Sequence, residues 1–181
     1  MNTIETLEKR KSIRGYTSQE VEDQKLKTIL KYGNKAPNAG EFHMSVITNK
    51  KLLKKINDNT LESMKNSDNE FMKQRAAIPE YEPLYGAPIL ILLSAPKEGF
   101  GAINTACAIT NMTIAATELE LGSCYVVSPL AAFESIPELS EKLEIPEGHI
   151  PQGGILLGYE SEKQIPGKPW VEDYSNVNYI E

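Results

Sequence analysis

Apolar positions along the chain alternate between helical and strand periods, and they predict a short list of elements. Asn2 or Thr3 caps a short helix with Ile4 and Leu7 on one side. Ser18 to Lys35 predicts a second helix, capped by Ser18, with Glu20, Glu22 and Asp23 in its first turns and Leu26, Ile29 and Leu30 as the buried stripe. It stops at Ala36-Pro37, because proline drives the preceding residue out of the helical region. HMSVIT, from His43, is a short strand, and Lys50 to Lys65 is helical through Leu52, Leu53, Ile56 and Leu61. An irregular segment then runs to PEYEPLYGAP. Ile89 to Leu93 is an unbroken aliphatic run between Pro88 and Pro96, the pattern of a strand covered on both faces. Phe100 to Leu121 is a long helix without charge until Glu118, capped by Gly122 and expected to be covered nearly all round. SCYVVS is a strand, Pro137 to Leu143 a short helix, and GGILLGY a last strand. Strands separated by helices indicate a layered α/β or α+β domain without internal repeats.

The chain has 181 residues, enough for one domain burying roughly 70% of the unfolded chain's surface. No apolar run approaches a membrane span, and MNTIETLEKRKS lacks a secretory core, so a cytoplasmic location is expected, with no membrane partner. Cys107, Cys124, His43 and His149 show no close ligand spacing, which argues against a structural metal site. A net charge of -6 argues against nucleic acid as the main partner. Residues 166–181 are polar and aromatic, too hydrophilic for a core, yet Trp170, Tyr174 and Tyr179 suit anchoring on another surface.

Two segments suggest ligand chemistry. Gly99-Phe100-Gly101 follows the aliphatic strand and opens a helix, but Asn104 stands where a third glycine would belong, so the dinucleotide fingerprint is incomplete. KRKSIRGYT places four cations between Lys9 and Arg14, around Ser12, in an acidic chain. A helix dipole accounts for one or two of them. Guanidinium forks, an ammonium and a hydroxyl together match the oxygens of a phosphate monoester, and composition leaves that reading level with a solvated surface.

Four landmarks occur in order: Arg10-Lys11-Ser12-Ile13-Arg14, Ala36-Pro37-Asn38-Ala39-Gly40, Tyr85-Gly86-Ala87-Pro88, and Leu121-Gly122-Ser123-Cys124. With them the stretch from Leu7 to Gly158 resembles the FMN-dependent nitroreductase family. The resemblance implies an α+β fold with a mixed, mainly antiparallel sheet flanked by helices. It also implies one domain over residues 1–181 and an intertwined homodimer in which the 166–181 tail packs on the partner. FMN would be the cofactor. Arg10, Lys11, Ser12 and Arg14 would hold its phosphate, with Lys168 a further ligand. Pro37, Asn38 and Ala39 would reach the flavin of the partner subunit, Val127 and Ser128 would run beside the ring, and Asn69 with Lys73 would contact its pyrimidine edge.

The implied activity is an oxidoreductase passing reducing equivalents from NADH or NADPH to a small acceptor such as a nitroaromatic or quinone, in ping-pong order. Non-catalytic flavin storage or sensing, and reductive dehalogenation on the same scaffold, are the alternatives. The flavin would carry the chemistry, so no protein nucleophile or acid-base pair is implied. The chain departs from the family pattern at Glu41-Phe42-His43-Met44, which replaces a Trp-containing stretch, and at Pro129, which has no N–H beside Ser128.

Overall fold

The computed structural model describes residues 2–180. Its elements in chain order are α1 (Thr3–Lys9), α2 (Asp23–Asn34), β1 (His43–Ile47), α3 (Lys50–Lys65), α4 (Glu70–Ala76), β2 (Ile89–Pro96), α5 (Gly101–Glu118), β3 (Gly122–Val126), α6 (Leu130–Ser135), α7 (Glu138–Lys142) and β4 (His149–Gly158).

The strands form one sheet in the order β1-β2-β4-β3, with every named pairing antiparallel. The parallel component expected of a mixed sheet is reduced, among the described residues, to one isolated bridge between Ser12 and Ser123. As its unbroken aliphatic run requires, β2 is central and covered on both sides. Leu90 and Leu92 join Leu156 in a core with Leu53, Ile56, Phe133 and Leu139 from α3, α6 and α7. Ile89, Ile91 and Leu93 join Ile155 and Leu157 against Ile29 of α2 and Ala108, Ile109 and Met112 of α5. The two cores make three layers, helices on each face of the sheet, and each fully buried aliphatic side chain contributes about 1.5 to 3 kcal/mol.

Several boundaries differ from those read in the sequence, each for a local reason. Ser18 does not cap α2, which starts at Asp23 after an extended Glu22. Residues before it are drawn alongside the end of β4: Thr17 N–H donates to Tyr159 O at 2.9 Å, and the Tyr159 hydroxyl donates to Glu22. The charge-poor helix closes with Glu120, at φ 60, in the left-handed position expected for Gly122. Leu121 N–H donates to Ala116 O and Glu120 N–H to Thr117 O, the paired bonds of a Schellman end. Nor is α5 covered all round, because Ala102, Ile103 and Thr110 face outward and Ile103 is 60% exposed. The segment read as irregular contains α4, and α6 follows β3 directly. Strand β3 stops at Val126, where Val127 O begins a turn by accepting Leu130 N–H at 3.1 Å. No helix among the described residues is long and apolar enough to cross a membrane.

Candidate functional site

The basic cluster lies on an extended segment, and alternation divides it. Arg10 ends α1 in an extended conformation, Ile13 N–H donates to Ser123 O at 2.9 Å, and Ile13 is buried. Lys9, Lys11 and Ile13 line one hollow of about 180 Å³ with Glu120 and Glu160, where Lys11 Nζ meets Glu160 Oε1 at 2.8 Å. Successive side chains in extended backbone point to opposite sides, so Arg10, Ser12 and Arg14 share the other side. Cys124 reports their company. Burial pushes its thiol up, while Arg14, the Ser12 hydroxyl, Arg75 and Arg10 pull it down.

A distant segment completes this group. Arg14 N–H donates to Gln164 Oε1 at 2.8 Å, and Ile165 N–H donates to Arg14 O at 3.2 Å. Gly167 lies so close to the Arg14 guanidinium that an added Cβ would overlap Nη1, and Lys168 is the next residue along the chain. Among the described residues, no carboxylate forms an ion pair with Arg10, Arg14 or Lys168. Positive charge gathered without a counter-charge is costly unless an anion joins it, and the donor set suits a phosphate.

The remaining candidates are placed separately. Pro37, Asn38 and Ala39 form an exposed loop before β1; Asn38 Nδ2 donates to Ala36 O at 3.2 Å, and Ala39 N–H donates to Asn104 Oδ1 at 2.9 Å. Val127 is 53% exposed and Ser128 half-buried, just beyond β3. Since β1 and β3 are opposite edges of the sheet, these two groups flank different edges of one chain. Asn69 caps α4, accepting Phe71 N–H at 3.0 Å and Met72 N–H at 3.4 Å, and Lys73 pairs with Glu70 at 3.2 Å. Neither is drawn into the cation cluster by any bond.

A family model described as the nitroreductase family matches residues 7–159. The chain belongs to that family. A relative from Methanothermobacter thermautotrophicus, provisionally named an NADH dehydrogenase/NAD(P)H nitroreductase, is 28% identical over 176 residues, covering 90% of this chain and 79% of the relative. A solved nitroreductase with bound FMN from Bacteroides fragilis is 27% identical with a TM-score of 0.84, covering 100% of both chains. One from Desulfitobacterium hafniense, also solved with FMN, has a TM-score of 0.89 over 100% of both chains at 24% identity, and shows the shared fold.

Within this nitroreductase-family chain, sequence reasoning missed two residues. Asn104, 3% exposed, sits where the glycine fingerprint failed and holds the loop of Asn38 through Ala39. Arg75 was hidden in the segment read as irregular. Its Nε donates to Tyr81 OH at 3.4 Å and its Nη2 to Tyr85 OH at 3.3 Å. No short motif marks Arg75, whereas a polar residue on the apolar face of α5 was a visible signal for Asn104. Replacing Asn104 with Ala removes the partner of the Ala39 N–H on an exposed loop, and a loss of about 0.5 to 1.5 kcal/mol is expected. Hydrogen exchange checks it: the Ala39 amide should lose more protection than amides within β2, which change only by the loss in global stability.

Proposed function

We propose that this chain is an FMN-dependent oxidoreductase that takes reducing equivalents from NADH or NADPH and delivers them to a small acceptor such as a nitroaromatic or quinone. The observation that carries the reading is the uncompensated group of Arg10, Ser12 and Arg14 near Cys124, with Gly167, the residue before Lys168, packed on the Arg14 guanidinium. A phosphate monoester such as that of FMN supplies the missing negative charge, and guanidinium forks match its oxygens. The FMN-bound relative of the same fold supports this choice of ligand.

Lys11 and Lys73 are left out of the binding set, because each is engaged by a carboxylate on an exposed surface. When bound, FMN supplies the hydride chemistry, and the protein's part is grip, orientation and exclusion of water. Ser128 contributes an N–H beside the ring, since Pro129 has none to offer. Asn38 and Ala39 act on the flavin of a second copy, which their separation from Ser128 across the sheet favours. Trp170, Tyr174 and Tyr179, 84%, 68% and 85% exposed, are the side chains through which the tail packs on that copy. A flavin held between two chains leaves one open face, where donor and acceptor take turns at the 3 to 3.5 Å or so that hydride transfer needs.

The expected result is a yellow dimer whose colour is lost with anaerobic NADH or NADPH and restored by a quinone or nitroaromatic, with parallel double-reciprocal plots. A protein of monomer mass in sedimentation removes the shared site. Converging plots remove the ping-pong order, and retention of colour with both nicotinamides leaves flavin storage or sensing.

A further inference from the structure

Arg75 lies in a cage. Its guanidinium sits 5.3 Å from the centroid of the Tyr81 ring and 5.8 Å from that of Phe71, in the range of cation–π attraction. Two of its donors are committed to the hydroxyls of Tyr81 and Tyr85, which lie 3.3 Å from each other. The rings stand nearly perpendicular, with centroids 5.9 Å apart, so each hydroxyl is fixed by packing as well as by hydrogen bonding. Tyr85 holds its place at φ 53, a left-handed conformation that a bulky residue adopts only when its surroundings impose it. Burial pushes the Tyr85 phenol up, so its hydroxyl stays neutral. The cage therefore directs the guanidinium without cancelling its charge.

A cation in the last turn of α4 suits the helix dipole, but that does not call for two tyrosine hydroxyls on its guanidinium. Arg75 is half-buried, and no carboxylate forms an ion pair with it among the described residues. Its surroundings are instead the Phe71, Tyr81 and Tyr85 side chains. Ile165, whose N–H donates to Arg14 O, packs its side chain on the small core of Met64, Ala76 and Tyr81. The cage and the Arg14 strand are thus joined through one residue, two positions before Gly167 and its contact with Arg14. Arg75 also acts on the Cys124 thiol together with Arg14, Arg10 and the Ser12 hydroxyl. Cations gathered near one buried group repel each other, and an anion among them relieves the repulsion.

We infer that Arg75, held in direction by the hydroxyls of Tyr81 and Tyr85, is a third guanidinium of the phosphate pocket, with the two tyrosines as its positioning residues. The inference rests on the FMN reading above and adds to it a binding residue and the device that aims it. The fork geometry is essential to it: Nε and Nη2 are spent on the tyrosines, and Nη1 is left for a phosphate oxygen.

Titration of apoprotein with FMN and with riboflavin, which lacks the phosphate, tests this. Wild-type protein should prefer FMN strongly. Arg75→Ala should weaken FMN about 10- to 100-fold, the worth of one charged hydrogen bond, and leave riboflavin within about twofold. Tyr85→Phe and Tyr81→Phe keep the rings but release the aim, and each should weaken FMN about 3- to 10-fold with riboflavin again unchanged. Arg75→Lys retains charge and guards against a folding defect; it should fall between wild type and Arg75→Ala, because an ammonium cannot bond both tyrosines and an oxygen in the same plane. Wild-type FMN affinity in Arg75→Ala overturns the inference while Arg14→Ala still tests the pocket. Equal loss of FMN and riboflavin also overturns it, by making Arg75 a ring or scaffold residue. A wild-type protein indifferent to the phosphate removes the FMN reading itself, and this inference with it.

Discussion

Protein carrying Arg10→Ala or Arg14→Ala should purify pale, with FMN bound about 10- to 100-fold more weakly than in the wild type, the equivalent of about 1.5 to 3 kcal/mol for one charged hydrogen bond. The double replacement should cost more than either alone but less than the product, since the residues share one anion. Removing either guanidinium should not unfold the chain. Among the described residues, the only side-chain hydrogen bond from Arg14 is a 3.4 Å contact between Nη1 and Ser12 O, and Arg10 makes its helix-closing bond to Thr6 O with its backbone. Deleting a cation from a repelling group can even raise the stability of the apoprotein slightly. The measurements are FMN titration by fluorescence quenching and the melting temperature of apoprotein. An unchanged affinity in both single variants would show that the phosphate lies elsewhere. Affinity should also fall as salt rises, with a shallower dependence in the variants, because an exposed mouth is screened within about 8 Å at physiological ionic strength.

How much of this site was legible in the chain depends on the reach of each interaction. Ser12 and its flanking arginines are neighbours in sequence, so the proposed donor set follows from KRKSIRGYT. The sorting of Lys11 from Arg10 and Arg14 does not, because it depends on α1 ending at Arg10 and on the bridge to Ser123 that makes the segment extended. The sheet was legible where burial dominates: Ile89 to Leu93 is apolar at every position because both faces are covered, and the structure only lengthens that strand to Pro96. Helix starts were less legible, since Ser18 had the side chain of a cap but its backbone was claimed by the end of β4. The short α4 was hidden for a similar reason. Seven residues carry little periodicity, and the Asn69 cap that defines its start needs the surrounding turn to be recognised. Arg75 was invisible on every local criterion, because its meaning lies in hydroxyls six and ten residues later that meet it only after folding.

Gly15→Ala should lower the melting temperature by about 5 to 15 °C and weaken FMN binding together, because this glycine is where the two segments of the proposed phosphate site are pressed against each other. A Cβ at Gly15 would overlap the backbone carbonyl of Lys163 and approach Ser161 Oγ at 2.9 Å, so relief requires a backbone shift. The seam it would open carries four hydrogen bonds: Ser161 N–H to Gly15 O at 3.0 Å, Gln164 Nε2 to Gly15 O at 2.8 Å, Arg14 N–H to Gln164 Oε1 at 2.8 Å, and Ile165 N–H to Arg14 O at 3.2 Å. Overpacking costs about 1 to 3 kcal/mol and each strained hydrogen bond about 1 more, and a chain of this length loses roughly 2 to 4 °C per kcal/mol. Binding falls because Arg14 is on one side of the seam and Lys168 follows the other. Gly167→Ala supplies the contrast. Its Cβ would press on the guanidinium end of Arg14, a flexible group that can move aside, so affinity for FMN should drop with a melting temperature close to wild type. A Gly15→Ala protein that melts like the wild type and binds FMN equally well would mean that the seam does not set the spacing between Arg14 and Lys168, and that the pocket is held from the α1 side alone.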